Sequence, residues 1–240
     1  MPATSAMPPL LLLHGAMGCQ ANFDALRPHL SPYFALHSLD FWSHGTAPTP
    51  SEGNLSIALF AEQVRCYCAE HFDQPVPIFG YSMGGYVACY LARHYPQTVA
   101  WVHTLATKWT WSPDIAQRET ALLNPDRIAE KVPKYAASLA QQHGAERWRD
   151  LLLQTAQMMR AMGDEPPLSD ADFAAIASPI RLSVGDRDAM VSLEETIGVY
   201  RQLPNAQLAV LPQTPHPLDK ANIAFLSASI QEMGTLHYTT

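Results

Sequence analysis

The chain of 240 residues predicts an α/β fold. The expected core is a mainly parallel, doubly wound sheet of about six strands, interrupted by an all-helical insertion. Three observations carry this. Short apolar runs of strand type alternate with segments of helical period, the pattern of a parallel sheet covered on both faces. The alternation stops at Thr107 and resumes at Pro179. Ser82, Asp188 and His216 also each fall just after the C-terminal end of a predicted strand, at the sheet edge where ligands of such folds bind.

Taken in order, Pro9-Leu10-Leu11-Leu12-Leu13 is a buried-type strand running into His14-Gly15-Ala16-Met17. Few residues precede it, so no antiparallel hairpin is expected ahead of it, and all the strands are expected to be parallel. A helix is predicted over about 21–30, then a strand from Tyr33 to Leu39 ending in Asp40. From Ser56 to Phe72 the stripe Ile57, Phe60, Ala61, Val64, Cys68 marks an amphipathic helix. Val76 to Phe79 is a buried strand, and Met83 to Tyr95 a helix stopped by Pro96. Between them lies Gly80-Tyr81-Ser82-Met83-Gly84. A strand, G-x-S-x-G and a helix in that order make a sharp turn that strains the serine backbone and holds its hydroxyl out of the fold. An apolar strand follows at about 99–106.

The insertion is expected over 107–176, leaving 1–106 and 177–240 as the core domain. Ser112-Pro113-Asp114 and Asn124-Pro125-Asp126 each read as an N-cap, a proline in the first turn and an acid behind it. Helices from Pro133 to Gly144 and from Glu146 to Gly163 follow, and Ser169 opens a capping box with Asp172. After the break come a strand from Pro179 to Val184, the turn Gly185-Asp186-Arg187-Asp188, and a second capping box, Ser192 with Glu195, opening a helix. A last strand covers about 207–211, and His216-Pro217 leads into a final helix.

Composition excludes several functions. The formal charge of −7, from 15 Lys+Arg against 22 Asp+Glu, comes without a basic cluster, which argues against nucleic acid or an anionic membrane as partner. Leu10–Leu13 is too short for a signal or membrane segment, so a cytoplasmic address is expected. Cys66 and Cys68 lie two apart on a helix and match no zinc spacing. They, Cys19 and Cys89 are expected to be reduced thiols, with no metal or cofactor implied.

Ser82, Asp188 and His216 each follow a strand end. A serine hydroxyl needs a base to take its proton, and an imidazole titrating near neutrality suits that task. A carboxylate must then orient the ring, and Asp186 and Asp188 compete for the role. In its motifs Leu12-Leu13-His14-Gly15, Gly80-Tyr81-Ser82-Met83-Gly84-Gly85, Gly185-Asp186-Arg187-Asp188 and His216, over about 9–106 and 179–235, the sequence resembles the α/β-hydrolase family.

That resemblance implies a Ser82–His216–Asp188 triad, with Asp188 preferred through the family's G-x-x-D pattern. It also implies an oxyanion hole from the backbone N–H groups of Ala16 and Met83, and places the insertion as a helical cap. His14 is expected to brace its loop. The family's D-x-x-G-H-G-x-S segment departs here at Ser43, which stands in place of glycine. Met17, Tyr81, Trp109, Trp111, Met158, Met159 and Met162 are candidates for the substrate pocket, the cap residues being equally readable as the cap's own core.

The reaction expected is cofactor-independent cleavage of an ester or related acyl compound through an acyl-enzyme. A carbon–carbon bond hydrolase or lyase on the same triad is the alternative. Tyr86 stands where a menaquinone-pathway synthase of this fold typically has arginine, which disfavours that member of the class. A slow-turnover ligand-binding sensor is a third reading. No Arg or Lys neighbours Ser82 in sequence, so the expected partner is a small, uncharged, short-to-medium acyl compound. The oligomeric state is not legible in the sequence.

Overall fold

In the computed structural model, which describes residues 7–51 and 53–238, the apolar runs become one six-stranded, wholly parallel sheet. Its strands are β1 (Pro9–Leu13), β2 (Ala35–Ser38), β3 (Val76–Tyr81), β4 (Val99–Leu105), β5 (Ile180–Gly185) and β6 (Ala206–Leu211), in the spatial order β2-β1-β3-β4-β5-β6. The helices are α1 (Arg27–Leu30), α2 (Ile57–His71), α3 (Met83–His94), α4 (Pro113–Thr120), α5 (Pro125–Lys131), α6 (Pro133–His143), α7 (Arg147–Asp164), α8 (Asp170–Ala174), α9 (Leu193–Tyr200) and α10 (Ile223–Tyr238).

Period-two geometry explains why the central strands are largely apolar. Leu11 and Leu13 of β1 enter one core with Phe60 and Val64 of α2 and Val87 and Leu91 of α3. Leu10 and Leu12 point the other way, into a second core with Phe23, Leu30 and, from α10, Leu226, Ile230 and Met233. A strand covered on both faces has no solvent side on which to place polar residues. Pro77, which has no N–H to give, sits where the β3–β4 register shifts between Val76 and Ile78.

The helix expected over 21–30 does not form. A 3₁₀ turn at Gln20–Phe23 and the single turn of α1 take its place. The Asn22 side chain turns back to accept from the Cys19 N–H at 2.7 Å, and Pro28 removes a donor that a continuous helix would use. The N-caps at Ser112, Asn124, Ser169 and Ser192 form as expected. The second capping box forms only halfway. Ser192 accepts from the Glu195 N–H, but the Glu195 carboxylate accepts instead from the Trp109 and Thr110 N–H groups at 2.7 and 2.9 Å.

Helices α4–α8 lie between β4 and β5 in the chain. Among the described residues no helix is long and apolar enough to cross a membrane.

Candidate active site

Ser82 occupies the turn from β3 into α3 with φ 51° and ψ −116°, a backbone region costly for a side-chain-bearing residue. The surroundings over-determine it. Its N–H donates to the Leu105 carbonyl at 2.8 Å, and its carbonyl accepts from the Gly85 N–H at 3.0 Å and from the Thr107 hydroxyl at 3.0 Å. The flanking glycines allow the close approach. A Cβ on Gly84 would stand 2.1 Å from the Leu13 carbonyl oxygen, and one on Gly80 would stand 2.5 Å from the backbone of Gly84 and Gly85.

The β5 and β6 ends bring the other two groups to the serine. His216 Nε2 lies 3.4 Å from Ser82 Oγ, within reach though longer than a tight hydrogen bond. His216 Nδ1 lies 2.9 Å from Asp188 Oδ2. The Asp188 side chain is fully buried, and its Oδ1 accepts from the Met190 and Val191 N–H groups, both at 2.8 Å. Asp186 does something else: its Oδ1 accepts from the Thr214 N–H at 3.2 Å, tying the β5 turn to the loop after β6. The Tyr81 hydroxyl donates to the His216 carbonyl at 3.0 Å and so ties down the backbone that carries the ring. Burial pushes that phenol's pKa up, so it stays protonated as a donor.

The loop after β1 completes the group. Among the described residues the N–H groups of Ala16 and Met83 are engaged by no hydrogen bond, and both residues line the cavity beside Ser82. His14 braces this loop, with one ring nitrogen 2.8 Å from the Gly15 carbonyl and the other accepting the Phe41 N–H at 3.0 Å. Burial pushes its pKa down to about 4, which keeps the imidazole neutral and able to accept. Asp40 gathers the Gln20 N–H at 2.8 Å and the Thr46 N–H at 2.9 Å. Burial alone would raise its carboxyl, but those two donors hold it below its usual value. Ser43, where the family pattern has glycine, adopts the left-handed conformation that glycine would take, with φ 65°.

The cavity over Ser82 is slender, with about 50 Å³ open to the centres of water-sized atoms, against roughly 10–15 Å³ needed for one water. Ile57, Tyr86, Trp111, Met158, Met159, Met162, Met190 and Val191 make most of its wall. Met158 and Met162 also belong to the buried core, so the methionine stripe serves as core and wall together. Three of the pocket candidates are not brought to the wall. Trp109 packs on Tyr86 and Phe173, Tyr81 lies beneath His216, and Met17, at φ 60°, offers its carbonyl to His143.

Lys108 and Glu119 do line the cavity, and sequence reasoning missed both. The available signal for Lys108 was its place just past the end of β4, on the same sheet edge as the other polar groups. Among the described residues no cluster of His, Cys, Asp or Glu is arranged to hold a metal ion, and the four cysteines are unpaired.

Comparison with known proteins agrees with this architecture. The family model described as alpha/beta hydrolase fold matches residues 8–169. A pimeloyl-[acyl-carrier protein] methyl ester esterase of Chromobacterium violaceum is 27% identical over 228 residues, covering 87% of each chain. Among solved structures, a thermophilic esterase of Thermogutta terrifontis superposes with a TM-score of 0.78 at 22% identity, over 96% of this chain and 90% of its own. MenH from S. aureus gives 0.80 at 13% identity, over 99% and 97%. At those identities the two structures speak for the fold alone.

Proposed function

The chain belongs to the α/β-hydrolase fold family, and on that premise we propose that it is a serine hydrolase cleaving a carboxylic ester through an acyl-enzyme. It is an esterase-like enzyme, as its relatives named esterases indicate. The observation that carries the finer reading is the run Ser82 Oγ–His216–Asp188, at 3.4 and 2.9 Å, opening beside two unengaged backbone N–H groups.

In the proposed reaction His216 Nε2 takes the Ser82 proton as Oγ attacks the ester carbonyl. The N–H groups of Ala16 and Met83 receive the developing oxyanion, aided by the positive end of α3. His216 returns the proton to the leaving alcohol, and water then repeats the cycle on the acyl-enzyme. Asp188, held by two backbone donors, keeps the ring's Nδ1 turned inward and stabilises the imidazolium. Helices α4–α8, with Trp111 just ahead of α4, serve as a cap, and Trp111 with the α7 methionines forms the wall that shields the serine from bulk water. The substrate is a small-molecule ester.

The test is labelling with a fluorophosphonate probe alongside turnover of p-nitrophenyl butyrate. Ser82→Ala is expected to abolish labelling and to lower kcat by on the order of 10⁴-fold or more, with circular dichroism unchanged. Labelling that persists in this variant would overturn the assignment, and a single stoichiometric burst without turnover would favour a sensor.

A further inference from the structure

We infer that Lys108 and Glu119 form a polar end of the substrate cavity that selects a neutral group able both to accept and to donate a hydrogen bond. A hydroxyl or carboxamide carried on one arm of the ester fits that description. The inference rests on the ester-hydrolase reading above and adds to it the class of substrate.

Lys108 follows β4 at the start of the insertion and Glu119 comes from α4, and both face a cavity that, apart from Ser82 and His216, is walled by apolar side chains. Each side chain is 17% exposed, so the pair is largely withdrawn from bulk water yet open to the cavity. The Lys108 ammonium has three donors and one short acceptor, the Met190 carbonyl at 3.0 Å. Its two carboxylate neighbours stand at 3.6 Å (Glu119) and 3.7 Å (Glu195), beyond direct hydrogen-bond distance. Glu195 is otherwise committed, accepting the Trp109 and Thr110 N–H groups. Glu119 is not: among the described residues its carboxylate has no hydrogen bond and no ion pair but that with Lys108. The Trp111 indole N–H, in the same cavity wall, is buried without a partner.

The chemistry then narrows the occupant. One ammonium and two carboxylates leave the cluster a net single negative charge, so a substrate carboxylate is repelled as well as drawn. A hydrocarbon terminus would strip solvent from the pair and return nothing. A hydroxyl or carboxamide can accept from Lys108 or Trp111 and donate to Glu119.

The test uses methyl esters of four to six carbons ending in methyl, hydroxyl, carboxamide or carboxylate, followed by pH-stat. Pentyl acetate and 4-hydroxybutyl acetate place the same contrast on the alcohol arm. In one of the two series the wild-type enzyme is expected to favour the hydroxyl or carboxamide ester over the hydrocarbon one by about tenfold in kcat/KM, with the carboxylate lowest. Glu119→Leu should invert that ratio in favour of the hydrocarbon, whereas Glu119→Gln, still an acceptor, should retain the hydroxyl preference. Ratios taken on one preparation are insensitive to any loss of folded enzyme. Ratios within twofold in both series, an unchanged ratio in Glu119→Leu, or a winning carboxylate would each overturn the inference while leaving the ester reading intact. No turnover of any ester, with Ser82 unlabelled, would overturn both.

Discussion

Lowering the pH should destabilise this protein before its carboxylates titrate, because it buries neutral histidines. Burial pushes His14 from 6.5 down to about 4, and pushes His103, aided by the nearby Arg181, down to about 3. His44 and His143 are displaced the same way, chiefly by burial. For a base whose native pKa is depressed, the unfolded chain binds the extra proton. Stability is therefore complete above the unfolded value of 6.5 and falls as the pH drops toward the native value. Each such group loses about 1.4 kcal/mol per pH unit inside that window. Between pH 6.5 and 5, His14 and His103 together cost roughly 4 kcal/mol, a large part of the 5–15 kcal/mol typical of a domain. Asp40, whose pKa is also lowered, works in the same sense but over a more acid window: its contribution is present above the unfolded carboxylate value and lost only as the pH falls below it. Urea unfolding followed by tryptophan fluorescence at pH 7.5, 6.5, 5.5 and 5 measures the slope. A slope below pH 6 of about 2.5 kcal/mol per unit or more is expected, since at least two protons are taken up. His103→Gln should lower stability at pH 7.5 yet flatten the slope by about one proton. Constant stability from pH 7.5 to 5 would refute the reasoning.

Three other outcomes are expected. Asp188→Asn should lower kcat by about 10⁴-fold by leaving the His216 ring without its carboxylate, while Asp186→Asn keeps most activity and loses stability through Thr214; steady-state kinetics and thermal melts on both variants separate them. Gly84→Ala should cost about 3 kcal/mol or more, because a methyl group cannot share space with the Leu13 carbonyl 2.1 Å away; urea unfolding reads this directly, and a near-neutral result would mean the elbow can relax. His143→Leu should lower the melting temperature by several degrees and raise KM more than it lowers kcat, since it unties the insertion from the loops around Ser82 without touching the serine.

Most of the sheet was readable because its signals are local. A strand covered on both faces must be largely apolar, and β1, β3, β4 and β5 are, with His103 and Thr104 of β4 and Arg181 and Ser183 of β5 as buried polar exceptions. The elbow was readable for the same reason, since Gly80, Ser82 and Gly84 sit within five residues and each is required by one turn. The segment over 21–30 misled because its apolar spacing competes with a proline and a self-capping asparagine, and periodicity alone does not weigh those. Glu195 was readable as a helix cap by spacing, yet its carboxylate turns to backbone N–H groups 85 and 86 residues away in sequence. The same limit hid the cavity's polar end, since no local pattern brings Lys108 beside Glu119.

What no local pattern contains is the joint between the insertion and the core. His143 of α6 accepts the Gly45 N–H at 2.8 Å on one ring nitrogen, and its other lies 3.0 Å from the Met17 carbonyl. Gly45 and Met17 belong to the loops after β2 and β1. Arg147, at the start of α7, donates to the Gly45 and Ala47 carbonyls, both at 2.8 Å. These bonds run between groups about a hundred residues apart or more, all buried or part-buried, and the neutral imidazole is the one state that can both accept and donate there. Protonating His143 turns its acceptor nitrogen into a donor facing the Gly45 N–H. Acid lability therefore extends beyond stability: once the pH falls to the lowered native value of His143, the insertion's grip on the loop carrying Ala16 should weaken. A KM that rises with falling pH, before the tryptophan signal reports unfolding, is the expected sign of that loosening.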